Sequence, residues 1–138
     1  MTKPYKSTLP YKTYVRHLVA NLKQYFFLND WKIILEYPEA DEPGHEDSIA
    51  CVYVDSQYLN VIMSIFPMAE DVFEKDVTEF AEYIVHEMCH VLHDPVYKFA
   101  KDAATNHTQP LLLFRLEQQT QRTARVIFQN LPKKLYQF

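Results

Sequence analysis

Two histidines and a glutamate in one short segment, His86-Glu87-Met88-Cys89-His90, have the spacing of a zinc-binding sequence. Histidines four residues apart on an α-helix lie about 40° apart around the axis and about 6 Å apart along it, so both imidazoles can bind one tetrahedral Zn²⁺. The carboxylate of Glu87 then lies beside the metal, where it can accept a proton from an attacking water. The segment therefore predicts two zinc ligands and a general base.

A catalytic zinc site usually takes a third protein ligand, and Glu117 is the strongest candidate. It lies on the apolar stripe of a later predicted helix, where an unpaired carboxylate is costly and metal coordination removes that cost. An ion pair with Arg122 is the alternative explanation for a carboxylate at this position. Asp102 and His107 are weaker alternatives as ligands.

Residues immediately after the motif are poorer candidates. The pattern HExxHxxGxxH is excluded because position 93 is histidine and position 96 is valine. His93 lies about 10 Å beyond His86 along a regular helix, too far for both to bind one metal, although it can border the cleft. Asp94 suits a supporting or helix-end role better than ligation. Cys89 is expected to pack in the core.

The motif lies within a predicted amphipathic helix. Asp76 and Glu79 form a candidate capping box at its start, and Pro95 predicts its end just after Asp94. Apolar residues recur at helical spacing between these limits. They are Val77, Phe80, Ala81, Ile84, Met88, Val91 and Leu92.

The remaining patterns predict an α+β fold. The prediction comprises an N-terminal helix, a small three-stranded sheet, the motif helix and a C-terminal helix that carries Glu117. The predicted helices outside the motif cover about 10–28 and 111–130, and the strands cover 31–37, 48–55 and 58–66. The last two strands should form an antiparallel hairpin, and residues 68–75 should be a link. The acidic segment 38–47 is expected to be a solvated loop.

Composition narrows the class of protein. The 138 residues are expected to form a single domain (1–138), and 48% of them are hydrophobic. A net charge of −4 argues against a general nucleic-acid-binding surface. No segment resembles a signal peptide or a membrane span, and Cys51 and Cys89 are too few for a disulfide framework, so a cytoplasmic location is expected. The single glycine, Gly44, excludes glycine-rich phosphate loops.

Residues 75–130 resemble the gluzincin-type zincin metallopeptidases, in particular small HExxH metallopeptidases of phages and bacteria, and more distantly the ImmA/IrrE group. The resemblance rests on the motif from His86 to His93 and on the segment from Leu116 to Ala124. It implies a minimal zincin-like domain in which His86, His90 and Glu117 bind Zn²⁺. It also implies that Glu87 is the general base for hydrolysis of a peptide or protein substrate, in the host cytoplasm if the protein is phage-encoded.

Larger gluzincins also supply a tyrosine or histidine that stabilises the oxyanion of the tetrahedral intermediate. Tyr97, His93 and His107 are the candidates for that role or for lining the cleft. In related zincins an extended peptide lies along an exposed sheet edge, and the strand at 58–66 is the expected edge here.

Two other functions use the same residues differently. The ligands could hold a structural zinc in a non-catalytic binding protein, in which case removal of the metal unfolds the chain. The motif helix could also belong to a partner-binding module that holds no metal. Metal content and the effect of replacing Glu87 distinguish these alternatives.

Overall fold

The computed structural model describes residues 3–40 and 48–138, and the expected acidic loop lies partly outside these residues, at 41–47. The described elements are four helices and one three-stranded sheet, which confirms the α+β class. In chain order they are α1 (Tyr11–Tyr25), β1 (Lys32–Glu36), β2 (Ala50–Asp55), β3 (Asn60–Ile65), α2 (Pro67–Lys75), α3 (Val77–Ala103), α4 (Gln109–Asn130) and a 3-10 turn (Lys133–Leu135).

The sheet has the order β1-β3-β2, so β3 is its central strand. The predicted antiparallel hairpin of β2 and β3 is confirmed, with Val52 opposite Met63. On its other side β3 pairs in parallel with β1, with Ile33 opposite Val61. The expectation that the strand at 58–66 offers a free edge is therefore wrong, because both of its sides are already paired. Within the described part of the chain, the sheet edges are β1 and β2.

The core lies between α1, the sheet and the N-terminal half of α3. Val15, Leu18 and Leu22 of the predicted α1 stripe are fully buried, and so are Phe80 and Ile84 of α3. Burial of side chains this large stabilises the fold by roughly 1.5–3 kcal/mol each before the entropic cost of ordering them.

Aromatic side chains join α1 to the chain end within this core. Tyr14 packs 5.2 Å from Phe73 and 5.0 Å from Phe138 between ring centroids. Its hydroxyl donates a 2.5 Å hydrogen bond to the carbonyl of Tyr136, which satisfies the polar end of a fully buried side chain.

Residues 68–75 form a helix, where the sequence was expected to form only a link. The helix begins at Pro67, a residue whose fixed φ suits the first turn, and it buries Ala69 and Phe73 on one face. It ends at Asp76, whose side chain accepts a 3.0 Å hydrogen bond from the Thr78 N–H and so caps α3. The predicted cap residue is therefore confirmed, with Thr78 as the donor.

The predicted end of the motif helix at Pro95 is wrong, because α3 continues through it to Ala103. Proline lacks the N–H that would pair with the carbonyl four residues earlier, and this normally costs about 3 kcal/mol inside a helix. Here the far half of α3 is held by packing against α4 and by contacts of Asp94 and Lys98 with the β2–β3 turn. Among the residues described, no helix has the length and apolar character needed to cross a membrane.

Replacing Tyr14 with Phe tests the buried hydrogen bond between α1 and the chain end. The variant leaves the Tyr136 carbonyl without this donor in a buried site, so we expect the free energy of unfolding to fall by about 1–3 kcal/mol. Urea unfolding followed by circular dichroism measures it. Tyr25→Phe is the matched control, since Tyr25 is 39% exposed. Equal stability of the two variants would contradict this role.

Candidate metal centre

Antiparallel packing of α3 and α4 brings the three predicted ligands together. His86 Nε2 lies 2.9 Å from one carboxylate oxygen of Glu117, and His90 Nε2 lies 3.2 Å from the other. The two Nε2 atoms are 3.1 Å apart. Each pair of these side chains is thus in contact through atoms that can bind a metal.

These separations fit the geometry of a tetrahedral metal ion. Zinc bonds to histidine nitrogen and carboxylate oxygen are about 2.0–2.2 Å long, which places tetrahedral ligand atoms about 3.3–3.6 Å apart. The potential ligand atoms of His86, His90 and Glu117 all lie within 4.8 Å of one another. Small rotations of the side chains would open the set enough for the ion, and two nitrogens with a carboxylate are a donor set that zinc prefers.

Glu117 was expected to be a buried carboxylate, but its side chain is 57% exposed. It faces the cleft between the helices, whereas Thr120 and Ala124 of the same helix are buried. The sequence pattern cannot separate these two environments because a cleft and a core both lie on the inner face of a helix. Among residues 3–40 and 48–138, the ion-pair partners found for Glu117 are the two histidines and not Arg122.

The charges of the three groups depend on each other. Hydrogen bonds from His86 and His90 hold the pKa of Glu117 well below its usual range, against the opposing effect of burial. Burial is the largest influence on His86 and disfavours its charged form, but the hydrogen bond to Glu117 and the nearby Glu87 charge outweigh it and raise its pKa. Without a metal, hydrogen bonds with the two imidazoles therefore hold Glu117 in its ionised form.

Glu87 has the opposite environment from Glu117. Burial raises its pKa to about 7, although the neighbouring His90 and His86 partly counteract the effect. A carboxyl with a pKa near neutrality can take up and release a proton at neutral pH, which is what a general base requires. Cys89, by contrast, packs in the core as expected, and burial raises the pKa of its thiol to about 12.

The three side chains lie between two cavities that open on either side of them. One cavity has a volume of about 430 Å³ and the other about 530 Å³. Both are lined by Ala50, His86, Glu87 and Glu117. Two adjoining cavities therefore lie along α3, one on each side of the candidate ligands, and we refer to them together as the cleft.

The two ends of this cleft have different linings. Toward the N-terminus of α3 they include Glu79, Glu82, Tyr83, Gln121 and Arg125. Toward its C-terminal half they include Val52, Val54, His93, Asp94, Tyr97, Leu113, Leu116 and Thr120. The order of these lining residues indicates that β2 and α3 run in the same direction along the cleft and that α4 runs in the opposite direction.

His93 and Tyr97, two of the candidate cleft residues, line the second of these ends. His93 Nδ1 lies 3.1 Å from the hydroxyl of buried Thr120, and burial together with the nearby His90 lowers its pKa. His107 and Asp102 are exposed near the α3–α4 connection, and neither is among the described residues that line the two cavities. The structure thus brings two of the three cleft candidates to the site.

Several residues of the site were not singled out from the sequence. The side-chain oxygen of Gln121 accepts from the His86 imidazole and so contributes to its raised pKa, and the hydroxyl of Thr120 contacts His93. Both follow Glu117 by three or four residues, so the helical spacing that identified Glu117 could have indicated them. Lys98, which was also not singled out, pairs with Asp94 at 2.9 Å, and this i,i+4 spacing of acid and base was readable from the sequence.

We found no match for this chain among family models, curated proteins or solved structures. The resemblance to gluzincin-type zincins therefore stays a prediction from the motif.

The raised pKa of Glu87 has a measurable consequence for the metal-free protein. Between about pH 4.5 and 7 the folded state holds a proton on Glu87 that the unfolded chain has lost, so stability falls as pH rises through this range. Relative to Glu87→Gln, we expect the free energy of unfolding of wild type to fall by on the order of 3 kcal/mol over this pH range and to change little at higher pH. Urea unfolding in the presence of a chelator measures both proteins. Parallel pH profiles would contradict the assignment.

Proposed function

We propose that this protein is a zinc-dependent metallopeptidase in which His86, His90 and Glu117 hold the metal and Glu87 is the general base. The observation that supports this most is the mutual contact of the three ligand side chains, whose nitrogen and oxygen atoms approach to 2.9–3.2 Å beside the carboxylate of Glu87. A cleft open on both sides of these atoms gives a polypeptide room to pass.

When bound, a zinc ion supplies a Lewis acid that polarises a carbonyl and makes a water nucleophilic at neutral pH. The protein supplies the geometry and the proton transfers. Glu87 accepts a proton from the attacking water and returns it to the nitrogen of the leaving amine, so that the carbon–nitrogen bond breaks and the carboxylate is regenerated. The positive charge of a metal held by His86, His90 and Glu117 would favour the ionised form of Glu87, which the first of these proton transfers requires.

A peptide carbonyl becomes an oxyanion during this reaction, and a hydrogen-bond donor beside it lowers the barrier. His93 and Tyr97 are the candidate donors that line the cleft. The Thr120 hydroxyl at His93 Nδ1 restricts the orientation of this imidazole and leaves Nε2 as its other hydrogen-bonding atom. His107, which lies outside the cleft linings, is a weaker candidate.

The substrate in this proposal is an extended peptide that adds to the edge of β2. This replaces the expected edge at 58–66, which is internal to the sheet. Ala50, Val52 and Val54 of β2 line the cleft next to the candidate ligands. Backbone groups along this edge could pair with any peptide sequence, which suits a peptidase. Cys51 and Cys89 are buried and form no disulfide, as suits the reducing cytoplasm proposed as its location.

A structural zinc site is the second candidate function, and one observation favours it. The 22-residue helix α4 fully buries only Thr120 and Ala124. A helix with so little buried surface gains stability from a metal that joins it to α3. In this alternative Glu117 attaches α4, and Glu87 has no proton-transfer role.

Replacing Glu87 with Gln distinguishes the two functions. In a peptidase the variant keeps its zinc and fold but loses at least about 100-fold in activity, because glutamine cannot accept the proton. Cleavage of a complex peptide library by zinc-loaded protein, analysed by mass spectrometry, measures the difference. Glu82→Gln, which changes another cleft carboxylate, is the matched control. If wild type and Glu87→Gln give the same products, or none, the structural role is favoured.

Replacing the ligands themselves tests the metal site. We expect near-equimolar zinc in wild type, and at least about 100-fold weaker zinc binding in His90→Ala and Glu117→Ala, since even loss of a ligand's hydrogen-bond partner costs about 10–100-fold. Competition with a chromophoric chelator gives the affinity. His17→Ala on α1 is the control and should bind as wild type does. Unchanged affinity in Glu117→Ala alone would reject the third ligand and leave the two histidines.

A further inference from the structure

Contacts between α3 and the end of β2 lie beside the end of the cleft that Val54 and Asp94 line. Lys98 Nζ donates a 2.7 Å hydrogen bond to the carbonyl of Val54 and lies 2.9 Å from a carboxylate oxygen of Asp94. The Ser56 hydroxyl donates to the same oxygen of Asp94. We refer to Lys98, Asp94, Ser56 and the Val54 carbonyl as the Lys98 clamp.

The Val54 carbonyl lies on the side of β2 that no other strand of residues 3–40 and 48–138 pairs with. The carbonyl of Ile49 accepts a hydrogen bond from Phe66 N–H, so residue 49 points toward the β3 side. Backbone groups alternate in direction along an antiparallel strand, which directs the N–H and C=O of Ala50, Val52 and Val54 away from β3. Lys98 therefore donates to an outward-facing carbonyl that would otherwise accept a hydrogen bond from an added strand.

The position of the candidate ligands sets the length of edge that remains. Ala50 lines both cavities together with His86, Glu87 and Glu117, so it marks the level of the metal site. The distance from Ala50 to Val54 along the strand is about 13 Å at about 3.3 Å per residue. An extended chain thus has room for about four residues between the reacting bond and Lys98.

The clamp is more than an ion pair for a buried carboxylate. Asp94 is 8% exposed and needs a cationic or hydrogen-bonding partner, which Lys98 and Ser56 provide. That requirement does not involve Val54, yet Lys98 also reaches its carbonyl. Lysine at the end of an exposed edge strand is a known way in which proteins prevent further strand pairing.

We propose that Lys98 determines specificity by ending substrate pairing along β2 at Val54, so that about four substrate residues are bound on that side of the metal. This rests on the proposed function, because it assigns a role to Lys98 in peptide binding at the same cleft. On the other side of the metal the cleft continues past Tyr83 and Arg125, which the clamp does not reach.

Alanine peptides with a hydroxamate at one end test the clamp through binding, without a need for turnover. The hydroxamate binds zinc, and the attached peptide is one to about eight residues long. A hydroxamate at one terminus directs the peptide toward the Lys98 end of the cleft, and a hydroxamate at the other terminus directs it toward the opposite end. Dissociation constants are measured by calorimetry on zinc-loaded protein in the Glu87→Gln background. Lys98→Ala is compared with Lys101→Ala, the matched control on the same helix.

In the parent protein and Lys101→Ala, the series that extends toward Lys98 should gain about threefold to tenfold in affinity per added pair of residues and stop at about four. In Lys98→Ala the gain should continue to longer peptides, while the other series is unchanged. Lys98→Ala/Asp94→Asn removes the unpaired buried charge and should behave as Lys98→Ala does, so loss of stability in the single variant cannot mimic the result.

The same length profile in all variants, or no binding of either series, would overturn the proposal. Whether wild type cleaves the peptide library is measured in a separate experiment. Cleavage with an unchanged length profile rejects the clamp and leaves the peptidase, whereas a profile that changes with Lys98 in a protein without cleavage rejects the peptidase and leaves the clamp.

Discussion

The meeting of Glu117 with His86 and His90 is the interaction on which the candidate metal site depends. It joins α4, of which only Thr120 and Ala124 are fully buried, to α3, in addition to the packing between the two helices. Two imidazoles and a carboxylate at hydrogen-bonding distance stabilise each other without a metal, as the lowered pKa of Glu117 indicates. The same contacts keep the three groups assembled for a cation, which reduces the entropic cost of binding it.

The length of α3 links this site to the rest of the cleft. Its N-terminal half is a core helix, and the residues between Met88 and Asp94 carry the second histidine and the cleft residue His93. Its continuation beyond Pro95 brings Lys98 to the end of β2. One helix therefore connects the core, the candidate metal site and the Lys98 end of the cleft. The helix continues through Pro95 because residues before and after this proline both make tertiary contacts.

Local patterns were sufficient for much of this arrangement. The four-residue spacing of His86 and His90 and the apolar periodicity around them identified the helix and the side chains that meet in the cleft. Glu117 was found because a carboxylate on an apolar stripe calls for a partner. Its true environment, an exposed cleft wall, was not readable because helical periodicity records only which side of a helix faces inward.

The errors arose where tertiary contacts override local signals. Pro95 is a strong local signal for a helix end, and only the contacts of α3 with α4 and the β2–β3 turn explain why it fails. The hairpin of β2 and β3 was readable from a short connection, but the parallel pairing of β1 with β3 joins segments distant in sequence. Strand order, and hence the free edge beside the metal site, could not be derived from alternation alone.

Zinc K-edge X-ray absorption on the purified protein tests the central claim most directly, because it reports both the metal and the atoms bound to it. The account predicts a zinc ion with only nitrogen and oxygen neighbours at about 2.0–2.2 Å, including two imidazoles. Protein that purifies without zinc, or a coordination shell with sulfur at about 2.3 Å, would contradict it, since the latter requires Cys51 or Cys89 in place of the ligands on α3 and α4.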